Sequence, residues 1–200
     1  MTPEPDPVLE LFYATGAYLR GHFRLTSGLH SPEYLQCALV LQHPAHAERL
    51  GIRLAEALGG LLAGQPAPDL VASPALGGVI IGHEVARALA CRCIFTERDA
   101  SGKMILRRGF SVTPGEWAVI VEDVVTTGGS TREVVEELRA GGVRVAAAGS
   151  IIDRSGGQAE VGVPRVALVT LSVVTYPPEA CPLCRQGVPV VKPGSRATVG

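Results

Sequence analysis

Two adjacent carboxylates precede a loop of small residues in segment 119–131. Three aliphatic residues lead into Glu122 and Asp123, and Val124 and Val125 follow them. The loop then consists of small residues, most of which carry a hydroxyl: Thr126, Thr127, Gly128, Gly129 and Ser130. The pattern after the loop is helical, and backbone N–H groups at a helix N-terminus attract anions. These residues therefore predict a phosphate-binding loop between a strand and a helix.

The acid pair needs a positive partner if it lies beside a phosphate, because an unpaired carboxylate inside an apolar run is costly. A sugar ring that becomes cationic during a reaction would compensate Glu122 and Asp123, and so would a magnesium ion. The alternative is structural, with one acid in a salt bridge at the strand end and the other in solvent. A P-loop and a dinucleotide fingerprint are excluded, because this loop lacks both Gly-Lys-Ser/Thr and the G-x-G-x-x-G spacing.

Basic residues cluster in a second segment, 97–108. It contains four of them: Arg98, Lys103, Arg107 and Arg108. Lys103 is notable because the only other lysine of the chain is Lys192. Gly102 beside it would permit hinge-like motion of the segment. The alternative is an ordinary solvated hairpin.

Composition limits the classes of function. The net charge of −1 argues against a broad nucleic-acid or membrane surface. With 46% hydrophobic and 18% charged residues, the chain can build a sizeable core. It has no apolar stretch long enough to span a bilayer, and its acidic, proline-rich residues 1–7 are unlike a secretory signal. We therefore expect a cytoplasmic protein without nucleic-acid or membrane partners.

The five cysteines do not indicate a disulfide scaffold, because their number is odd and the chain is not small. Cys181 and Cys184 have a spacing that occurs in zinc sites. A structural zinc site needs four ligands, however, and only one pair is present locally. We expect a disulfide or two ordinary thiols here, with no catalytic role.

Helices and strands alternate along the chain, which predicts an α/β fold with a parallel twisted sheet flanked by helices. Before the small-residue loop, helical patterns cover three segments: 8–20, 46–62 and 79–90. Strand patterns cover five segments: 69–73, 91–96, 117–125, 143–152 and 165–175. The segment 117–125 is apolar enough to lie in the middle of the sheet.

The helix after the small-residue loop has recognisable boundaries. Ser130 and Glu133 have the spacing of a capping box, so the helix should begin near Thr131. The glycines at 141–142 should end it. Ligands of parallel sheets bind beyond the carboxyl ends of the strands. Four loops lie there in this chain: 74–78, 97–108, 126–131 and 153–154.

The acid pair followed by Thr-Thr-Gly-Gly-Ser resembles the phosphoribosyl-pyrophosphate (PRPP) motif of the type I phosphoribosyltransferases. Residues 21–34 and the pair Asp153 and Arg154 are similar to segments of the members that use orotate. The resemblance extends from about residue 21 to residue 154. It implies transfer of the phosphoribosyl group from PRPP to orotate, giving orotidine 5′-monophosphate and pyrophosphate, with Mg²⁺ as cofactor.

The resemblance also implies roles for single residues. Residues 122–130 would bind PRPP, with Glu122 and Asp123 at the ribose. Arg98 and Lys103 would neutralise the leaving pyrophosphate, and Lys103 would be catalytic together with the two acids. Thr126 and Arg154 would bind orotate. Magnesium would be held mostly through PRPP and water, with no direct protein ligand assigned.

The 73–78 segment resembles the family's pyrophosphate loop. Some relatives carry a lysine at the position of Gly77 and another at that of Thr26, and this chain has neither. The resemblance further implies a single domain, 1–200, whose core (about 41–175) carries a small hood built from about 1–40 and 176–200. It also implies a homodimer with shared active sites. Two alternatives stay open, a phosphoribosyltransferase for another nucleobase and a non-catalytic regulator that senses PRPP or a nucleotide.

Overall fold

The computed structural model describes residues 6–25 and 27–193, so Thr26 lies outside the described residues. The chain divides into two compact units. The larger unit is Leu41–Leu171. The smaller unit combines the chain up to Val40 with the chain from Ser172 onward.

The chain forms helices and strands over most of its described length, and some strands follow one another without a helix between them. The helices are α1 (Pro7–Ala14), α2 (Cys37–Leu41), α3 (Pro44–Leu61), α4 (Gly77–Leu89), α5 (Gly129–Ala140) and α6 (Pro182–Arg185), with a 3₁₀ turn at Pro178–Ala180. The strands are β1 (Tyr18–Arg24), β2 (His30–Leu35), β3 (Leu70–Pro74), β4 (Arg92–Arg98), β5 (Met104–Leu106), β6 (Trp117–Val125), β7 (Arg144–Asp153) and β8 (Arg165–Thr170).

The larger unit is built on a six-stranded sheet in the order β5-β4-β3-β6-β7-β8. All neighbouring strands are parallel except β5, which pairs with β4 in an antiparallel hairpin. The predicted central strand is confirmed, since β6 lies between β3 and β7 and its residues 118–121 are fully buried. An α/β fold with a mostly parallel sheet is therefore correct, with one antiparallel strand at the edge.

Helices cover both faces of this sheet. Ala148 of β7 belongs to the same apolar cluster as Val134 and Leu138 of α5. The next residue is Gly149, and a Cβ atom built on it would lie 3.1 Å from side-chain atoms of Leu54 and Leu58 in α3. Successive strand residues point to opposite faces, so α5 packs on one face and α3 on the other. In the described part of the chain, no helix is both long and apolar enough to cross a membrane.

The smaller unit contains the antiparallel hairpin of β1 and β2. The predicted helix 8–20 is wrong in its second half, because α1 ends at Ala14 and β1 begins at Tyr18. The cause is Gly16, whose φ of 66° is the left-handed conformation that commonly ends helices. Apolar spacing alone continued through this glycine and did not indicate the change from helix to strand.

Candidate active site

The predicted ligand loops lie at the carboxyl ends of the strands in the larger unit's sheet. β6 and β7 pair in parallel with Val125 opposite Asp153. The Arg154 N–H donates a hydrogen bond to the Val125 carbonyl at 2.8 Å. Thr126 and Arg154, the two residues expected to bind orotate, therefore begin adjacent loops at the carboxyl ends of neighbouring strands.

The acid pair lies in the last half of β6, where ionisation is costly. Burial raises the pKa of Glu122 from 4.5 to about 7, and the neighbouring Asp123 charge adds to the rise. A hydrogen bond from the Thr131 hydroxyl and the charge of Arg98 oppose this pKa rise without cancelling it. Burial raises the pKa of Asp123 as well, against backbone hydrogen bonds from Val124 and from Asp123 itself. A positively charged ligand would remove this cost by favouring the ionised acids.

The start of α4 lies directly against these acids. A Cβ atom on Gly77 would collide with the Asp123 carboxylate. On Gly78 it would lie 2.9 Å from the Val121 carbonyl oxygen and 3.1 Å from the Ser73 Cβ. The loop 74–78 is thereby held beside the acid pair, and any side chain at Gly77 would displace Asp123.

The sequence indicated only that Gly77 stands where some relatives have a lysine, and it did not predict this packing role. The available signal was the pair Gly77 and Gly78 directly after a strand. Paired glycines at the start of a helix are typical of a close approach between backbone and a neighbouring group.

The small-residue loop leads into α5 two residues earlier than predicted. The helix begins at Gly129, and Gly128 is its N-cap with φ of 77°. A Cβ on Gly128 would lie 2.8 Å from Val161 Cγ1, so both conformation and space require glycine here. Glycine has no side chain with which to cap the helix, so the first-turn N–H groups face the loop where a phosphate is expected.

The predicted capping box is wrong. No side-chain hydrogen bond caps α5, and Glu133 instead accepts a hydrogen bond from Arg98 at 2.7 Å. The predicted helix end is confirmed, since α5 stops at Ala140 and Gly141 is its C-cap. A tertiary ion pair therefore uses the carboxylate that local spacing assigned to the cap.

The basic segment forms the hairpin of β4 and β5. Its turn is organised by the Asp99 carboxylate, which accepts hydrogen bonds from the N–H groups of Ser101 and Lys103 at 2.8 and 2.9 Å. Gly102 in this turn has φ of 85°. Arg108 is hydrogen-bonded at 2.7 Å to Glu97, which lies in the same hairpin.

The two basic residues expected at pyrophosphate differ in position. Arg98 lies near enough to Glu122 to lower its pKa. The Lys103 ammonium lies 3.6 Å from the Glu137 carboxylate, and its side chain is 70% exposed. Glu137 is eight residues beyond Gly129, about 12 Å along α5 from the loop. In this conformation Lys103 is thus held away from the small-residue loop by a weak surface ion pair.

A cavity of about 560 Å³ lies between the β4–β5 hairpin and α5. It is lined by the hairpin residues Ser101, Gly102, Lys103 and Met104 and by the helix residues Glu133, Glu136, Glu137 and Ala140. This lining includes neither the acid pair nor the small-residue loop. Its three glutamates disfavour an anionic ligand, so the cavity is not the expected PRPP site.

Asp153 has a structural role beside Arg154. Its carboxylate is fully buried and accepts hydrogen bonds from Arg165 at 2.8 Å and from the Ser155 hydroxyl at 2.6 Å. Burial alone would raise the pKa of Asp153, but these hydrogen bonds outweigh it and lower the pKa below the ordinary value. Asp153 therefore fixes the loop that begins with Arg154.

Comparison with known proteins gives concordant matches. Residues 41–171 match the family model described as the phosphoribosyl transferase domain. An orotate phosphoribosyltransferase of Heliobacterium modesticaldum is 54% identical over 191 residues, which cover 96% of this chain and 98% of that protein. One from Thermus thermophilus is 51% identical over 183 residues, covering 92% and 97%.

Solved structures show the same fold. The crystal structure of orotate phosphoribosyltransferase from Aeropyrum pernix matches with a TM-score of 0.65 and 28% identity, covering 82% of this chain and 93% of that one. An adenine phosphoribosyltransferase crystal structure matches with a TM-score of 0.64 and 15% identity, covering 81% and 99%. The second likeness concerns the fold alone.

Proposed function

The chain belongs to the phosphoribosyltransferase family, among the orotate phosphoribosyltransferases, and we propose a mechanism in which its acid pair and small-residue loop bind PRPP. The enzyme transfers the 5-phosphoribosyl group from PRPP to orotate, giving orotidine 5′-monophosphate and pyrophosphate in pyrimidine biosynthesis. The observation that carries the mechanism is the position of Glu122 and Asp123, two largely buried carboxylates that lie two residues before a loop that opens on a helix N-terminus.

The loop 126–130 would hold the 5′-phosphate. Its backbone leads into the first turn of α5, where N–H groups and the helix dipole favour an anion. Gly128 lets the chain turn there without a side chain between the loop and the ligand. No protein nucleophile is needed, since the protein's task is to position both substrates and to stabilise developing charge.

Glu122 and Asp123 would hold the ribose hydroxyls and stabilise the positive charge that develops on the ring as the bond to pyrophosphate loosens. Both acids have raised pKa values, which means that the folded protein disfavours their negative charge until a positive group arrives. The interaction with the acids therefore strengthens as the ring becomes cationic. Such a difference between ground state and transition state is what accelerates a reaction.

Orotate would lie beside the ribose, between the ends of β6 and β7. Thr126 and Arg154 begin the two loops there, and a guanidinium suits a planar carboxylate through paired hydrogen bonds. Asp153 would orient Arg154 by fixing the loop that follows. This arrangement favours a base that carries a carboxylate over a neutral purine or uracil.

Arg98 and Lys103 would neutralise the leaving pyrophosphate, together with backbone N–H groups of the loop 74–78. Lys103 must first leave Glu137. That exposed ion pair is weak, worth about 1 kcal/mol or less, so an anionic substrate could displace it. The turn around Gly102 would supply the motion.

Magnesium is the proposed cofactor. The carboxylates of Glu122 and Asp123 are hard oxygen donors of the kind that Mg²⁺ prefers, and a cation would offset the cost of ionising them. We expect the ion to be held through PRPP and water near these acids. When bound it would neutralise charge on the pyrophosphate.

The decisive experiment is to mix purified protein with PRPP, Mg²⁺ and orotate and to measure pyrophosphate release and orotidine 5′-monophosphate. Parallel reactions with uracil, hypoxanthine and adenine test the alternative that another base is used. We expect product only in the reaction that contains orotate as the base. Binding of PRPP without turnover of any base would contradict the enzyme and favour the alternative of a PRPP-sensing regulator.

A homodimer with shared active sites rests on the family resemblance. Mixed dimers of a Lys103→Ala subunit and an Asp123→Asn subunit should then regain activity, since one of the two sites would be intact. Absence of recovery in dimers verified by mass would contradict shared sites.

The cytoplasm remains the expected location, which is compatible with five cysteines that lie in the described part of the chain and form no disulfide.

A further inference from the structure

Two histidines and two cysteines from distant parts of the sequence meet inside the smaller unit. His22 lies in β1, His30 begins β2, Cys181 precedes α6 and Cys184 lies within it. One ligand atom from each residue lies within 4.8 Å of all the others. His22, His30 and Cys181 are buried, and Cys184 is exposed.

The distances among these atoms resemble the edges of a coordination tetrahedron. The Cys181 and Cys184 sulfurs lie 3.5 and 3.7 Å from His22 Nε2, and Cys184 Sγ lies 3.3 Å from His30 Nδ1. Zinc–ligand bonds of about 2.0 Å to nitrogen and 2.3 Å to sulfur place such atoms about 3.5 Å apart in a tetrahedron. The two nitrogens, at 2.8 Å, need to separate by only about 0.5 Å to reach the same geometry.

The imidazole of His22 is oriented for binding a metal. Its Nδ1 lies 2.7 Å from the Val188 carbonyl oxygen, to which it donates its hydrogen. In the neutral ring this leaves a lone pair on Nε2, the nitrogen that faces the other three residues. A backbone carbonyl in this role is the usual support of a metal-binding histidine.

Hydrogen bonding alone does not account for the cluster. The His22 Nε2 lone pair can accept one hydrogen, yet His30 Nδ1 and both sulfurs lie within 3.7 Å of it. A cation at the centre would instead be bound by all four atoms at once. The need for four ligands, which Cys181 and Cys184 alone did not meet, is satisfied by histidines that lie more than 150 positions away in the sequence.

We propose that His22, His30, Cys181 and Cys184 form a structural zinc site. Two thiolates and two imidazoles are a donor set that selects zinc over magnesium. Four protein ligands occupy the tetrahedron, so no position remains for a substrate, and the role is structural.

The zinc joins the C-terminal segment to the β1–β2 hairpin. Backbone contacts already connect them, because Val191 pairs with Phe23 and Tyr176 pairs with His30. The ligands Cys181 and Cys184 lie between these two contacts. The metal therefore cross-links the middle of a segment that, between these two bridges, has only a short helix and a 3₁₀ turn of its own.

The test uses the full-length protein without an affinity tag, purified without chelator. Elemental analysis should find one zinc ion per chain. After chelation, Co²⁺ should restore one equivalent and give thiolate charge-transfer bands together with the d–d bands of tetrahedral cobalt. Cys184→Ser is the informative variant, because this residue is exposed and its replacement leaves no buried cavity. Cys91→Ser, a half-buried thiol in the larger unit, is the matched control.

The wild type and Cys91→Ser should bind zinc equally, while Cys184→Ser should lose tight zinc binding and the wild-type cobalt spectrum. Hydrogen exchange of residues 176–191 should increase in Cys184→Ser and in the chelated wild type, which tests the site without any substitution. A wild type that binds neither zinc nor cobalt would overturn the proposal. So would full zinc binding by Cys184→Ser, or a Cys181–Cys184 disulfide in the metal-free protein as isolated.

Discussion

Replacing Glu122 by glutamine should make the ligand-free protein more stable at pH 8 and at the same time a much poorer enzyme. The carboxyl group lies where burial raises its pKa from 4.5 to about 7. At pH 8 the group is ionised in both the folded and the unfolded protein, so the folded state carries the full cost of the buried charge. Glutamine keeps the shape and can still accept the hydrogen bond from Thr131, but it has no charge.

The sign and the size of the effect follow from the two pKa values. Below pH 4.5 Glu122 is protonated in both the folded and the unfolded state, so the protein has its full stability. Between pH 4.5 and about 7 the unfolded state loses this proton first, and the free energy of unfolding falls. The shift from 4.5 to about 7 corresponds to about 3 kcal/mol. Because Glu122 is partly exposed to solvent, we discount this to about 2 kcal/mol at pH 8, or roughly 4–8 °C in Tm for a chain of this size.

The assay is urea unfolding of wild type and Glu122→Gln at pH 8 and at pH 4.5. The gain should appear at pH 8 and be much smaller at pH 4.5. Glu136→Gln is the matched control, because Glu136 is exposed on α5 and should show no gain at either pH. An unchanged stability of Glu122→Gln at pH 8 would refute the reasoning, and so would an equal gain at both pH values.

Three further variants test the rest of the site. Asp123→Asn should lower turnover by about 10²-fold, as for the loss of one preorganised electrostatic group, and steady-state kinetics with near-normal turnover would remove Asp123 from the mechanism. Gly77→Ala should destabilise the protein by about 1–3 kcal/mol in urea unfolding and weaken PRPP binding, because its methyl group would displace the Asp123 carboxylate. Gly60→Ala, on a helix surface with no neighbour within 4 Å, should do neither. Lys103→Ala should slow turnover and change Tm little, since its ion pair with Glu137 is exposed; a large fall in Tm would show that the pair is structural.

Parts of the molecule that are contiguous in sequence could be predicted from the sequence. β6, its acid pair and the loop 126–130 follow one another directly, so their order alone indicated a strand, a ligand loop and a helix. The beginning of α5 could not be predicted in the same way. Local spacing predicted that Glu133 caps the helix. In the folded chain its carboxylate instead accepts a hydrogen bond from Arg98, 35 positions earlier.

Parts that depend on packing needed the structure. The sequence placed Thr126 and Arg154 at the ends of two strands, but only the register of Val125 opposite Asp153 brings those ends together. The same applies to His22 and Cys181, which no local pattern connects. A spacing rule can identify two metal ligands that lie within a few residues of each other. The second pair of ligands is identified only in the folded structure, where distant segments of the chain lie side by side.

Glu122 shows where sequence reasoning stops and why. Two acids within an apolar strand predict an ionisation cost, because an unpaired buried charge is unfavourable in any fold. The size of that cost depends on groups that the fold brings from elsewhere, since the Thr131 hydroxyl and the charge of Arg98 reduce it and the charge of Asp123 increases it. A positively charged ligand in the same place would act in the direction of Arg98. An ionised Glu122 therefore destabilises the ligand-free protein and is stabilised only when such a ligand binds. This is why Glu122→Gln should raise stability and lower activity.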